Sequence, residues 1–286
     1  MARPIVKWAG GKRSLLPELI TRVPPSMRTY AEPFAGGLAL FFALASEEPR
    51  RFERAIVCDQ NAELIACYTA VRDDVEGVLR ALAKYTHDEA LFYEVREKDT
   101  RRWSDTARAA RLLFLNRVCF NGLWRVNSKG KFNVPFGRYA NPRIHDPEGL
   151  RAASHALAGA EIVSGDFTLA TRDVDRRDFV YFDPPYVPLS RTAAFTAYAK
   201  DGFGPADQER LVTELARLRA AGVRALLSNH KTPGTLELYR HFAMSEVSAR
   251  RSISREGSTR TPAAELLVDT WGPAGRAKKA PRRAKA

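Results

Sequence analysis

Apolar and polar positions along this 286-residue chain fall into two patterns. Short apolar runs at residues 54–58, 161–163, 178–182, 223–227 and 265–270 are bounded by glycine, proline or acidic residues, which predicts buried sheet strands. Apolar residues three or four apart predict helices: one starting near Ser14, one through residues 38–44, and one opened by Pro205 and closed at Gly222. From Asn61 to about Ser154 helical spacing takes over, with Leu64, Ile65, Tyr68 and Val71, then Leu79 and Leu82, then Leu112, Leu113 and Leu115. Residues 120–139 break that rhythm with Gly122, Gly130, Pro135 and Gly137 and read as a loop or hairpin.

Two glycine turns stand near the N-terminus. Lys7-Trp8-Ala9-Gly10-Gly11-Lys12 predicts a turn between a short strand and the helix near Ser14. Tyr30-Ala31-Glu32-Pro33-Phe34-Ala35-Gly36-Gly37 predicts a strand end turning into the next helix, and the strand after that helix ends in Asp59. Strand, glycine loop, helix, strand and acid open a dinucleotide-type half sheet. The acid lies about twenty residues past the loop, where a ribose diol needs it. The fold class is therefore α/β, a Rossmann-like sheet split by a helical insert with a basic loop or hairpin.

Charge sharpens the reading of that insert. The chain holds 46 basic and 33 acidic residues, a net +13, and the six basic residues of the tail at 273–286 leave +7 without it. Between Arg108 and Arg151 stand nine Lys or Arg against only Asp146 and Glu148. A surplus of this kind outside the tail points to a polyanionic partner, nucleic acid first. The alanine, proline and basic composition of the tail predicts disorder. Cys58, Cys67 and Cys119 have no paired spacing and sit beside apolar residues, which predicts buried thiols in a reducing compartment. The five histidines show no ligand spacing, so no metal is expected. The longest apolar stretch, near Leu38 to Ala45, is too short to span a bilayer, and the N-terminus lacks a signal-peptide layout.

The chemistry concentrates in Asp183-Pro184-Pro185-Tyr186, directly after the apolar run Phe179-Val180-Tyr181-Phe182. Paired prolines cannot donate backbone hydrogen bonds and fix their own φ. A strand ending this way offers a stiff rim: a carboxylate, a prolyl carbonyl and an aromatic face. Open α/β sheets bind ligands at that rim. The exocyclic amine of a nucleobase is a poor nucleophile because its lone pair is delocalised. An acceptor pair from Asp183 and the Pro184 carbonyl favours a tetrahedral nitrogen with a localised lone pair, and Tyr186 supplies a stacking surface worth about 1–3 kcal/mol. The step then needs a strong electrophile in line, and a sulfonium methyl donor fits. The Gly36-Gly37 turn lets backbone approach such a donor, Asp59 is suited to its ribose, and Asp166 and Phe167 to the edge and face of its adenine.

Lys7–Lys12, Glu32–Gly37 and Asp183–Tyr186, in that order with the insert between the last two, resemble the Dam family of DNA adenine-N6 methyltransferases of the D12 class. The similarity runs through Leu115-Asn116-Arg117, Phe120-Asn121-Gly122-Leu123-Trp124-Arg125 and residues 132–139. It resumes at Pro188-Leu189-Ser190, Phe195-Thr196-Ala197-Tyr198, Ser228-Asn229-His230 and Arg251-Ser252-Ile253-Ser254. The resemblance implies a class I methyltransferase sheet, S-adenosylmethionine as donor, double-stranded DNA as partner, a flipped adenine as acceptor and GATC as site. It makes Asp183, Pro184, Pro185 and Tyr186 catalytic. Trp8, Lys12, Phe34, Gly36, Asp59, Asp166 and Phe167 fall around the donor. Lys7, Leu123, Arg125 and Pro135 fall on site bases, Phe120 and Asn121 insert into the duplex, and Arg138 joins them on DNA. Residues 1–60 and 155–272 are then the catalytic domain and 61–154 the recognition insert, in a monomeric, cytoplasmic enzyme. Two positions depart from the family: Phe120 stands where tyrosine is common, and Leu38 where a third glycine is common.

Two competing readings share the same scaffold. One is a non-catalytic DNA-binding module, against which Asp183 and Tyr186 speak. The other is a methyltransferase for RNA or for cytosine N4, where serine or threonine is more usual at position 183.

Overall fold

The computed structural model describes residues 1–186, 203–249, 263–273 and 278–279. The motif stretches at 188–190, 195–198 and 251–254, and most of the basic tail, lie outside the described residues. Strands β1 (Met27–Glu32), β2 (Phe52–Asp59), β3 (Glu161–Ser164), β4 (Phe179–Phe182), β5 (Arg224–His230), β6 (Ala243–Ala249), β7 (Ala263–Asp269) and the two-residue β8 (Lys278–Lys279) follow the sheet order β3-β2-β1-β4-β5-β7-β6-β8. β8 lies in the segment read from composition as a disordered tail and pairs with β6. The helices are α1 (Leu16–Ile20), α2 (Ala39–Ala45), α3 (Ala62–Asp73), α4 (Val75–Leu82), α5 (Glu89–Glu97), α6 (Asp105–Val118), α7 (Pro147–Leu157), α8 (Pro205–Ala220) and α9 (Pro233–Leu238). This is the expected α/β, Rossmann-like class I methyltransferase fold. Its strand order reverses between β1 and β4, which makes their C-terminal ends the switch point where ligands bind.

Contacts divide the chain into two units. The first comprises Met1–Arg13, Ala35–Arg51 and Ile56–Phe167. Its centre is α6, whose residues 109–118 are all buried, including the polar Arg111, Asn116 and Arg117. α6 packs on α3 and α4, and Phe114 stacks on Tyr85 with ring centroids 4.7 Å apart. Side-chain caps start these helices where the sequence places short polar residues: Asn61 accepts from the Leu64 N–H and Ser104 from the Ala107 N–H.

One expectation fails in this unit. The residues ahead of the first glycine turn form no strand. The amide of Asn116 takes the place of a neighbouring strand: its Oδ1 accepts from the Lys7 N–H at 2.8 Å and its Nδ2 donates to the Lys7 carbonyl at 2.8 Å. Arg117 Nη2 donates to the Ile5 carbonyl at 3.3 Å. With its polar groups met by side chains of α6, this segment has no need of a sheet ladder.

The second unit comprises Ser14–Phe34, Phe52–Ala55 and Thr168–Ala286. β1, β4 and β5 run parallel, and β7 runs antiparallel to β5 and β6. All four residues of β4 are buried, as its unbroken apolar run requires of a strand paired on both sides. Asp178, just before β4, accepts from Arg28 Nε at 3.0 Å, from the Thr29 N–H at 2.9 Å and from the Asp175 N–H at 2.7 Å, tying the start of β4 to β1. β6 was not expected: Ala243-Met244-Ser245-Glu246-Val247-Ser248-Ala249 has no clear alternation, and its pairing with β7 along seven residue pairs makes it a strand.

Candidate active site

In the second unit, β4 delivers Asp183 to the sheet rim. The Ser228 hydroxyl on neighbouring β5 donates to Asp183 Oδ1 at 3.1 Å and lies 3.0 Å from the Tyr181 hydroxyl. Pro184 is buried and Pro185 exposed, and Gln208 Nε2 of α8 donates to the Pro185 carbonyl at 3.2 Å. Tyr186 is half-buried. Its hydroxyl donates to Glu265 Oε2 at 2.5 Å, and its ring meets His230 edge-on, centroids 4.2 Å apart. Burial, then the charges of Asp183 and Glu265, push the Tyr186 phenol far above its ordinary value, so it stays a donor. Phe34, after β1, packs against Phe182 and edge-on against Phe203 at 5.4 Å. The structure thus brings Asp183, Tyr186 and Phe34 to the C-terminal ends of β1 and β4.

The first unit carries most of the residues expected around a donor. Asp59 Oδ2 accepts from the Gly36 N–H at 3.0 Å, and its Oδ1 accepts from the Asn61 N–H at 2.9 Å. Burial pushes the Asp59 carboxyl up, and these two donors pull it part of the way back. Gly36 sits at φ +45, where a Cβ would lie 3.0 Å from Trp8 Cδ1, and the Tyr68 hydroxyl holds its carbonyl at 2.7 Å. Beyond β3, the Gly165 and Asp166 carbonyls lie 3.5 Å from Cys58 Sγ. Asp166 is half-exposed, whereas Phe167 is a core side chain. Lys12 is buried, with its ammonium on the Gly10 carbonyl at 2.5 Å. The three thiols are free and buried, and burial pushes each up to about 12.

The first unit also gathers the residues expected on DNA. Asn116 Nδ2 donates to the Gly122 carbonyl at 3.0 Å, so one side chain ties the Lys7 backbone to the turn at 120–122. Phe120 is 49% exposed, and its N–H donates to the Pro135 carbonyl at 2.9 Å. Asn121 is exposed with φ +54. Lys7 Nζ stands 4.3 Å from the Tyr139 ring centroid, and Trp8 stacks on Trp124. Isolated bridges Cys119–Phe136 and Val126–Phe132 shape residues 119–136 into a hairpin. Across it Arg125 Nε donates to Asn133 Oδ1 at 2.8 Å, while Leu123 is half-buried and Pro135 and Arg138 are exposed. Among the described residues no three His, Cys, Asp or Glu side chains converge as a metal site, and no helix is long and apolar enough to cross a membrane.

A family model described as D12 class N6 adenine-specific DNA methyltransferase matches residues 8–253. The chain belongs to that family. It is 41% identical over 278 residues to the Type II methyltransferase M1.LlaDCHI of Lactococcus lactis subsp. cremoris, covering 94% of this chain and 96% of that protein. It is 37% identical over 286 residues to the Type II methyltransferase M.MjaIII of Methanocaldococcus jannaschii, covering 93% and 98%. It is 36% identical over 270 residues to the DNA adenine methylase of Salmonella typhi, covering 93% and 94%. Membership of the D12 class makes DNA the substrate and implies S-adenosylmethionine as methyl donor.

Within this D12 methyltransferase, sequence reasoning missed Asn116 as an organiser of the Lys7 and Phe120 segments, and missed Ser228 and Glu265 as supports of the rim. Asn116 lay inside a quoted motif, but its buried place on α6 among apolar neighbours was the only further signal. Leu38 adopts φ 54 and ψ 38, the left-handed conformation that a glycine would supply.

Proposed function

We propose that this enzyme transfers a methyl group from S-adenosylmethionine to N6 of an adenine turned out of double-stranded DNA, with GATC as its site. The observation that carries the reading is the rim after β4, where Ser228 holds Asp183 and Glu265 holds the Tyr186 ring. The donor, when bound, supplies a sulfonium methyl electrophilic enough for a neutral amine. Asp183 and the Pro184 carbonyl accept the two N6 hydrogens and localise the nitrogen lone pair. Tyr186 stacks on the base. Asp183 takes the proton that N6 sheds after transfer and passes it to water. A preorganised acceptor of this kind is worth roughly 10²–10³ in rate.

The donor residues fit their ligand. Each Asp59 oxygen already accepts one backbone N–H and has capacity for a ribose hydroxyl. At Gly36 the missing Cβ leaves room for the Trp8 ring, which this reading sets beside the donor. Phe34 and Asp166 offer a ring and a carboxylate to the adenine, while Lys12 and Phe167 shape the site from within. On the DNA side, Arg125 reads guanine, a contact worth about 1–3 kcal/mol of discrimination. Lys7, Leu123 and Pro135 touch the other site bases, and Arg138 holds phosphate. Extruding an adenine costs a few kcal/mol, which inserted Phe120 and Asn121 offset in part. The choice of GATC rests on the match of these four reading residues to the Dam motif. In this reading residues 61–154 select the site, and residues 1–60 with 155–272 hold donor and chemistry. In this reading the enzyme works as a monomer on chromosomal DNA in the cytosol.

Purified enzyme supplied with labelled donor and duplexes carrying every tetranucleotide tests this. Label belongs on adenine N6 in GATC, and Asp183→Ala should deposit none while still binding DNA. Label concentrated at another tetranucleotide overturns the site, and turnover by Asp183→Ala overturns the chemistry.

A further inference from the structure

We infer that Glu265 is a positioning residue of the methyl-transfer site, fixing the Tyr186 ring through its hydroxyl so that the stacking face for the extruded base is set before DNA binds. The inference rests on the reading of Tyr186 as that stacking face.

The sheet register builds the arrangement. β5 pairs with β7 so that Ser228 faces Leu267 and His230 faces Glu265. Ser228 serves Asp183, and two residues on, the pair His230 and Glu265 serves Tyr186. A tyrosine ring turns about two side-chain torsions. The bond from its hydroxyl to Glu265 Oε2, at 2.5 Å, fixes the far end of the ring, and the His230 edge at 4.2 Å limits its rotation. A charged acceptor makes this bond about twice as strong as a neutral one. Asp183 and Glu265 both place negative charge within electrostatic reach of the Tyr186 phenol. The raised phenol keeps the donor proton in place across the working pH range.

Four variants test this in the full-length enzyme: Tyr186→Phe, Glu265→Ala, Glu265→Gln and the double variant Tyr186→Phe with Glu265→Ala. Measurements are the donor Kd, kcat and KM for a duplex carrying its site, and fluorescence of 2-aminopurine at the target position. A freed ring should raise KM for DNA about tenfold in Tyr186→Phe and in Glu265→Ala, a loss in the range of a hydrogen bond to a charged group. It should also blunt the stacking signal of the flipped base, with donor Kd unchanged. The double variant should be no worse than either single one, because both remove one bond. Glu265→Gln keeps an acceptor and should stay within about threefold of the parent. Additive losses in the double variant, or a Glu265→Gln defect as large as that of Glu265→Ala, overturn the inference. If Glu265→Ala fails to fold, a parental KM and stacking signal in Tyr186→Phe overturns it alone. Failure of the underlying reading looks different, since Tyr186→Ala, which removes the ring outright, would then keep the parental KM and stacking signal.

Discussion

A methyl group at position 122 tests whether the geometry around Lys7 matters for reading DNA. Gly122 has φ +62, and a Cβ there would lie 2.5 Å from Lys7 Cβ and closer still to its Cδ. Left-handed backbone costs a non-glycine residue roughly 1–2 kcal/mol. Lys7 Cβ is one bond from its own backbone, so relief to an ordinary contact at 3.4 Å requires the backbone to retreat by about 0.9 Å. That backbone is held by both ends of the Asn116 amide at 2.8 Å. Losing either bond costs about 0.5–1.5 kcal/mol, and leaving buried Asn116 unsatisfied adds to that. Gly122→Ala should therefore destabilise the first unit by about 2–4 kcal/mol, a fall of roughly 4–10 °C in melting temperature. A misplacement near 1 Å is enough to cost about a hundredfold in a reaction that depends on alignment. The assay pairs a thermal melt with methylation of the proposed site and of its single-base variants. The expected result is a lower melting temperature and a marked loss of activity with poorer discrimination. Unchanged stability and discrimination would refute the idea that Asn116 and the bare Gly122 surface hold Lys7 for its task.

Two further expectations follow from other contacts. Arg125→Ala should relax site choice by about 1–3 kcal/mol at one base pair more than it weakens general DNA binding, and a uniform loss across sequences would assign Arg125 to phosphate instead. At Asp178, burial raises the carboxyl, but bonds from Arg28, Asp175 and Thr29 outweigh it and hold the group below its ordinary value. Its stabilising contribution is thus fully present above the unfolded carboxylate value near ~3.9 and is lost as pH falls through the lower folded value. Melting curves from pH 6 to 3 should steepen downward below about 4, and Asp178→Asn should flatten that limb; an unchanged acid limb would show that Asp178 does not set it.

What the sequence revealed and what it hid follow one physical division. Apolar runs carry their own instruction when both faces of a strand are buried, so β4 and the acidic rim after it were legible from residues 179–186 alone. The glycine loop and its downstream acid were legible because they perform a local task, and Asp59 does meet the Gly36 N–H. Residues 5–8 misled because their backbone partners come from Asn116 and Arg117, more than a hundred positions away. No local pattern announces a side chain that replaces a strand. β6 was hidden for a related reason: its strand state comes from β7 rather than from its own alternation. Glu265 was read only as a strand residue and Ser228 only as part of a family motif, because their second task, holding Tyr186 and Asp183, exists only once β4, β5 and β7 are adjacent.

Leu38 shows how such a loop tolerates a departure from glycine. Its left-handed backbone costs roughly 1–2 kcal/mol, yet its side chain is 1% exposed, and full burial of a leucine is worth about 1.5–3 kcal/mol. The two terms nearly cancel, so the leucine can follow the glycine path without a large net penalty. That path also has to be followed: the Leu38 N–H donates to the Ala35 carbonyl at 2.7 Å, and the Leu38 carbonyl accepts from the Phe42 N–H as α2 begins. A close approach is instead made at Gly36, where the Trp8 ring packs against the place a Cβ would occupy. The loop thus divides its demands. Position 36 needs a residue without a Cβ, whereas position 38 needs only the left-handed turn, which a buried leucine can support.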